Sequence, residues 1–251
     1  MENKIIHYCW FGPNKLTPLA KKCMESWKKY LPDYEIMLHN EDNFDYNQNE
    51  FIKQAYENKK WAFVADYARL EALYKYGGIY FDTDMEIVKD ISDILEKNLV
   101  LGVEDSKLVN GAFIYAKEKE NKFIDKLLKV YKDFKDFDKD NIYTITIPSI
   151  ITNELKLQGY NNQIEDIQYI ESLDITIYPQ EYFYPKSYDN QKNKYTKNSC
   201  MIHHYDATWS SKQEKIKMYF IRNNMKFMVK VVDLILAINR RLKKIFKKKI
   251  K

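Results

Sequence analysis

Glycine and proline are scarce, with six of each in 251 residues. So few chain breakers leave little room for low-complexity linkers, and no internal repeat is present. Cysteine is scarcer still. Cys9, Cys23 and Cys200 form no CxxC pair, and an odd, low count gives no disulfide framework and suits a reducing compartment. Long apolar runs are also missing. Ile5-Ile6 is too short for the core of a secretory signal, so a cytosolic location is the expectation. The longest apolar stretch, Val229–Ile238, is interrupted by Lys230 and Asp233 and is too short to span a bilayer. Acidic residues are absent from Asn239–Lys251 (NRRLKKIFKKKIK), which holds eight Lys or Arg. Without that tail, 41 − 8 = 33 basic residues face 36 acidic ones, so the body is mildly acidic and the overall +5 belongs to the tail. That distribution argues against a nucleic-acid-binding domain, which spreads basic charge over a folded face.

What the chain does have is a core. Hydrophobic residues make up 45% of it and tyrosines number 21, a composition for packing rather than disorder. The length fits one large α/β domain with an appendage. Lys4–Phe11 (KIIHYCWF) reads as a buried strand closed by Gly12-Pro13. Thr17 caps a helix running to Tyr30, and Tyr34–His39 is a second strand, so strand–helix–strand opens a parallel sheet. Trp61–Tyr76 (WAFVADYARLEALYKY) is the strongest helix. Its alanines favour the helix, and Gly77-Gly78 supplies a left-handed stop. Ile79-Tyr80-Phe81 then runs as a strand into Asp82-Thr83-Asp84, with Met85–Val88 as a short strand after it. Leu99–Val103 and Ala112–Ala116 are further strands, and Asn121–Phe134 a helix. Residues Asn141–Tyr184 mix short strands and helices. Met201–Tyr205 is a short apolar run containing His203-His204, and beyond Ser211 the pattern is one long amphipathic helix.

Asp82 and Asp84 close an apolar strand two residues apart. Extended backbone would point both to one side, and a turn would separate them. Two carboxylates converging at a strand end suit a hard divalent cation, Mg²⁺ or Mn²⁺, able to bridge the two phosphates of a nucleotide diphosphate. The plainer alternative is a solvated pair in a turn. Asp66 and Arg69, three apart on the preceding helix, share one face. Asp66 stands among Phe63, Val64, Ala65, Tyr67 and Ala68, where a charge is costly unless paired or used. Its plainer alternative is a surface pair with Arg69.

The run ADYARLEALYKYGGIYFDTDMEIV (Ala65–Val88) resembles the DXD-containing glycosyltransferases called family 32, and is similar to the glucosylating domains of large clostridial toxins. IIHYCWFG at the start, VNGAFIYAKE (Val109–Glu118), IYPQEYFYP (Ile177–Pro185) and IHHYDATW (Ile202–Trp209) resemble the same family in the same order. The likeness therefore covers nearly everything before Ser211. It implies a GT-A fold, an α/β Rossmann-like nucleotide-sugar-binding domain over residues 1–211, followed by a basic amphipathic helical segment over 212–251. It also implies a UDP-sugar donor, Mn²⁺ or Mg²⁺, and retention of anomeric configuration. By the same resemblance Asp84 is a metal ligand, and Asp82 contacts ribose or sugar and reaches the metal through water. Asp66 and Arg69 hold the donor's hydroxyls and diphosphate, and Trp10 stacks on the uracil. His203 is a third metal-side ligand or a group on the diphosphate, and Trp209 offers its indole N–H to a phosphate oxygen. The plain reading of Trp209 is a hydrophobic plug, and that of His203 a satisfied core histidine. Many relatives carry Thr-Gly-Pro near the acceptor side where this chain has Thr146-Ile147-Pro148. That loss of glycine alters backbone freedom and pocket volume.

Between Lys212 and Lys251, apolar residues recur at helical spacing with Lys and Arg elsewhere, which suits an interfacial helix drawn to anionic lipid. The expectation is that the first half of this segment packs on the body and the last turns touch membrane. The resulting expectation is a hexosyltransferase for glucose or galactose, acting on a glycan or lipid-linked oligosaccharide. It would work in bacterial capsular or surface polysaccharide synthesis, in the cytoplasm at the inner face of the membrane. Two other classes compete. A haloacid-dehalogenase-like phosphatase would use the first Asp of the motif as nucleophile, but its motif normally lies near the N-terminus. A non-enzymatic peripheral membrane or nucleic-acid-binding protein explains the tail but gives Asp66, Arg69, Asp82 and Asp84 no role.

Overall fold

The computed structural model describes residues 4–104, 107–134, 145–162, 165–190, 192–208 and 212–249. The chain divides into two compact units: Met1–Lys186 with Lys194–Asp206, and Ser187–Asn193 with Ala207–Lys251.

The first unit is built on a sheet. Strand β1 is Ile5–Cys9. Helix α1, Pro18–Tyr30, starts where the Thr17 side chain accepts the Ala20 N–H and Pro18 supplies a preset φ. Then follow β2 (Glu35–His39), α2 (Glu50–Glu57) and α3 (Trp61–Tyr76). Helix α2 is an addition to the elements expected from the sequence, and Asn49 caps it by accepting the Ile52 N–H. At the end of α3 the chain needs left-handed backbone twice, at Gly77 (φ 67°) and Gly78 (φ 91°), and any Cβ on Gly77 would sit 3.1 Å from the Ala116 carbonyl oxygen. Strands β3 (Gly78–Phe81) and β4 (Met85–Ile87) flank the Asp82–Asp84 turn. The unit continues through α4 (Ser92–Leu95), β5 (Leu99–Val103), β6 (Val109–Ala116), α5 (Lys122–Asp133) and α6 (Ile147–Lys156). It ends with β7 (Gln168–Ile170), β8 (Ile175–Tyr178), α7 (Gln180–Phe183) and β9 (Met201–His203).

Seven strands form one sheet in the order β2-β1-β3-β6-β5-β8-β7. Its β2-β1-β3 half is parallel, as the strand–helix–strand opening predicts. β6 runs antiparallel to both β3 and β5, so the sheet as a whole is mixed. The period-2 alternation of β3 sorts its side chains onto two cores. Ile79 and Phe81 pack with Ile6, Trp27 and Phe113, while Tyr80 faces the opposite side, with Tyr67, Leu70 and Leu73 of α3. A separate two-stranded ladder joins β4 to β9 antiparallel, pairing Met85 with His203. The three cysteines are free and buried.

The second unit corrects one expectation. Instead of one long amphipathic helix there are two, α8 (Lys212–Arg222) and α9 (Lys226–Lys249), packed on each other. The break falls at Asn223-Asn224. Asn224 takes left-handed backbone (φ 55°), which asparagine tolerates better than most residues, and the Met225 N–H returns to the Phe220 carbonyl. Arg222 donates to the Tyr188 carbonyl and Lys217 pairs with Asp233.

Candidate functional site

The carboxyl ends of β1 and β3 lie side by side in a parallel half-sheet, the edge at which ligands of open α/β sheets bind. The site grows from β3. Asp82 follows its last residue and is tied to the sheet by donating its N–H to the Ala112 carbonyl on β6. A turn then follows, closed by the Met85 N–H on the Asp82 carbonyl. The two carboxylates of the motif therefore do not stay on one side of a strand, and each meets a different set of partners.

Asp82 meets the helix. The Arg69 Nη1 lies 3.3 Å from Asp82 Oδ1, and Nη2 lies 2.8 Å from Asp66 Oδ1. The same guanidinium donates from Nη1 to the Gly111 carbonyl (2.7 Å) and from Nε to the Ala65 carbonyl (3.2 Å). It lies over the Tyr80 ring, whose hydroxyl donates to Asp82 Oδ1 at 2.7 Å. Asp66 and Arg69 are 7% and 4% exposed, which excludes the surface-pair reading. Burial pushes the Asp66 carboxyl up to about 6, and Asp82 adds to this. Arg69 and the Ile147 N–H, which hydrogen-bonds to it, pull the other way. Burial opposes the Arg69 charge, but Asp82, Tyr80 and Asp66 outweigh it and hold the guanidinium protonated.

Asp84 meets β9. Its Oδ1 lies 3.2 Å from His203 Nε2, its Oδ2 accepts the Asp206 N–H at 2.8 Å, and its carbonyl accepts the His204 N–H. Burial would raise the Asp84 carboxyl, but the His203 charge and hydrogen bond, with the backbone N–H of Asp206, hold it down at about 2. Burial would lower the His203 imidazole, yet Asp84, Asp82 and Glu104 together hold it above its ordinary value. One ligand atom each from Asp82, Asp84 and His203 lies within 4.8 Å of the others. His203 Nδ1 is buried without a hydrogen-bond partner. Two carboxylate oxygens and an imidazole form a donor set acceptable to Mn²⁺ and less so to Mg²⁺. Two carboxylates, Asp66 and Asp82, share the Arg69 guanidinium, and Asp84 lies on the His203 imidazole, whose proton a divalent cation would replace. The residues therefore fit a divalent cation.

The two adjacent histidines separate. His203 goes to Asp84, whereas His204 Nε2 is 2.8 Å from Glu86, which also pairs with Lys22. Trp10 lies just past β1 at the same carboxyl edge, partly exposed, its indole N–H donated to the Asn14 carbonyl. Trp209 lies outside the described residues.

Four neighbours belong to this site to which the sequence assigned no role there, although Tyr80 and Asn110 lie in the family-like stretches and Ile147 in the Thr146-Ile147-Pro148 departure. Tyr80 orients Asp82. Asn110 donates to Glu104 at 2.6 Å and accepts the Ala112 N–H. Glu104, just past β5, acts electrostatically on His203. Ile147 touches the site at two points. Its N–H is on Asp66, and its side chain would be 2.9 Å from any Cβ on Gly111, the residue whose carbonyl receives Arg69. The Ile147 departure thus bears on the Asp66–Arg69 side.

The family described as "Glycosyltransferase sugar-binding region containing DXD motif" matches residues 18–101, a span that includes Asp66, Arg69, Asp82 and Asp84 but not Trp10 or His203. Lactosylceramide 4-alpha-galactosyltransferase of Rattus norvegicus is 28% identical over 129 residues, 51% of this chain and 33% of that protein. The chain thus spans about a third of the length of that relative. An uncharacterized glycosyltransferase of Acanthamoeba polyphaga mimivirus is 25% identical over 241 residues, 90% of each chain. Among solved structures the PaToxG glycosyltransferase superposes with a TM-score of 0.50 at 20% identity, over 63% of this chain and 69% of that one, a likeness of fold. The α/β fold is of the GT-A class, and residues 18–101 are similar to the glycosyltransferase sugar-binding region that contains a DXD motif.

Proposed function

We propose that this chain is a metal-dependent, retaining hexosyltransferase that moves glucose or galactose from a UDP-sugar to a hydroxyl of a glycan or lipid-linked oligosaccharide. The observation that carries the reading is the convergence of Asp82, Asp84 and His203 beside the buried Asp66–Arg69 pair. Galactose is favoured by the name of the rat relative, and the surface-polysaccharide setting by the family resemblance. Residues 1–211 form the catalytic part. The basic segment 212–251 holds it at the anionic inner face of the cell membrane, where a lipid-linked acceptor would lie.

Asp82, Asp84 and His203 would hold Mn²⁺ or Mg²⁺, which when bound would supply positive charge against the leaving diphosphate. Arg69 keeps the Asp66 and Asp82 carboxylates apart and aimed, and lends its charge to the phosphate side. Asp66, ionised at neutral pH, accepts from a donor hydroxyl. Trp10 stacks on the uracil, and Trp209 donates its indole N–H to a phosphate oxygen. In a front-face route the departing diphosphate oxygen takes the proton of the incoming hydroxyl as the glycosidic C–O bond breaks on the same face. No enzymic nucleophile is then needed, only groups that stabilise the departing charge. The phosphatase alternative requires Asp82 as a free nucleophile. Its Oδ1 is instead engaged by the Tyr80 hydroxyl and the Arg69 guanidinium, which favours a binding role.

A UDP-sugar panel with Mn²⁺, following UDP release with and without acceptor, tests the activity. One UDP-hexose should turn over in a cation-dependent manner, and water can serve as weak acceptor. Full activity after demonstrated removal of all metal would overturn the metal role. Proton NMR of the first product decides stereochemistry: a β-linked product from an α-linked donor refutes retention. A trapped glycosyl-enzyme on Asp or Glu refutes the front-face route alone.

A further inference from the structure

Helix α9 has two apolar faces, and packing uses one. Val232 is 8% exposed, and the neighbouring Asp233 pairs with Lys217 of α8, the helix that packs on α9. On another face Phe227, Leu234 and Ile235 are 77%, 62% and 49% exposed. At roughly 100° per residue, positions 227, 231, 234 and 235 fall within an arc of about 100°. The sequence repeats that spacing onto Ile238, Leu242 and Ile245. Lys226 and Lys230 are exposed, and the same helical count sets them about 80° and 40° outside this arc. The helix is 24 residues long, about 36 Å, yet no helix among the described residues is long and apolar enough to cross a membrane. An outward apolar stripe with cations along its other side suits a helix lying in the plane of a lipid surface. The alternative partner is a protein groove that wraps a basic amphipathic helix. Over the first half of α9 the inner face is taken by α8, which bars a clamp from enclosing it, whereas a flat surface needs one face only.

We propose that α9 lies flat on an anionic lipid surface along its whole length, with Phe227, Leu234 and Ile235 inserted among the headgroups and the basic side chains reaching the phosphates. This rests on the reading of the basic segment as membrane-binding and changes where it docks: from the first turn of α9, and not only at its last turns.

The test uses the full chain and sedimentation with vesicles of phosphatidylglycerol and phosphatidylcholine, against vesicles of phosphatidylcholine alone. The wild-type chain should bind the anionic vesicles. The double variant Phe227→Ser/Leu234→Ser should bind at least about tenfold more weakly, with helicity unchanged by circular dichroism and UDP release to a soluble acceptor unchanged. In a separate Phe227→Trp variant, emission at 227 should shift to the blue on binding and be quenched by brominated acyl chains. A wild-type chain indifferent to anionic vesicles overturns the membrane reading and this proposal with it. Wild-type binding that the double variant retains in full, with position 227 unquenched, overturns this proposal alone and leaves docking to the last turns. A self-associated chain that Phe227→Ser/Leu234→Ser renders monomeric, with vesicle binding unchanged, assigns the stripe to a second copy and also overturns it.

Discussion

At the scale of single residues, Asp84 carries two duties that the strand-end pattern did not separate. It is one of three groups that fit a cation, and it also holds His203 and the Asp206 N–H. Asp84→Ala should therefore abolish transfer and, while leaving the fold in place, lower stability by about 1–3 kcal/mol, since a buried imidazole and N–H lose their acceptor. Asp84→Asn should keep most of that stability but still lose Mn²⁺ binding. Calorimetric titration of Mn²⁺ and thermal unfolding of both variants check the separation. Wild-type turnover by Asp84→Ala would sink the ligand assignment. Because Asp84 holds the His203 pKa above its ordinary value, the metal-free imidazole keeps its proton to higher pH than an ordinary histidine. A cation must displace that proton, so affinity for Mn²⁺ should rise with pH through the His203 titration, with net proton release measurable in buffers of different ionisation enthalpy. Gly111 is the other sharp point. Gly111→Ala drives a methyl to within 2.9 Å of Ile147 and should cost about 1–3 kcal/mol. Ile147→Ala in the same chain should recover part of that loss, a coupling that a double-mutant cycle reads directly.

At the scale of elements, β1, β2 and the end of α3 meet at a buried histidine pair. His7 Nε2 is 2.9 Å from the Gly77 carbonyl, which can only accept, so the neutral ring carries its proton there. His7 Nδ1 is then the acceptor for His39 Nε2–H at 3.0 Å. Burial drives both imidazoles down to about 4, with the His39 ring adding to the effect on His7 and Lys75 to that on His39. The unfolded chain binds these protons near the ordinary value of about 6.5. Between that value and about 4 the unfolded state therefore holds more protons, so stability is full above the window and falls as pH drops through it. The loss should be on the order of 3 kcal/mol for each ring, since a tenfold weakening of one ring's proton affinity corresponds to about 1.4 kcal/mol. It should level off below pH about 4, where folded and unfolded chains hold the same protons. Denaturant unfolding across this range, compared with His7→Gln, measures it, and an identical pH profile in the variant would remove the pair as the cause. The elements themselves were largely legible. α1 and α3 announced their ends through Thr17 and Gly77-Gly78, because caps and left-handed stops are set by local chemistry. α2 went unread although Asn49 caps it, and the C-terminal helix broke at Asn223-Asn224, where asparagine's tolerance for left-handed backbone is a weaker mark than glycine's.

At the scale of the whole molecule, the charge is divided as the sequence states, with eight cations and no acid in Asn239–Lys251. Deleting that segment should weaken binding to anionic vesicles, since each basic residue near such a surface contributes on the order of 1 kcal/mol. Activity on a soluble acceptor should survive, and equal vesicle binding by truncated and full-length chains would count against the tail. The sequence by itself determined the parallel opening of the sheet, the helix that carries Asp66 and Arg69, and the strand that delivers Asp82. Apolar period, caps and glycine stops are properties of neighbouring residues, and Arg69 reaches Asp82 because one hairpin-like turn joins their elements. Only the tertiary structure decided which histidine faces Asp84. The β4–β9 ladder pairs Met85 with a residue more than a hundred positions away, and its register sends His203 to Asp84 and His204 to Glu86. It also decided that Ile147 closes over Gly111 and Asp66, and that Glu104 acts on His203. Such contacts depend on strand register and on the packing of distant elements, which no local window of sequence contains.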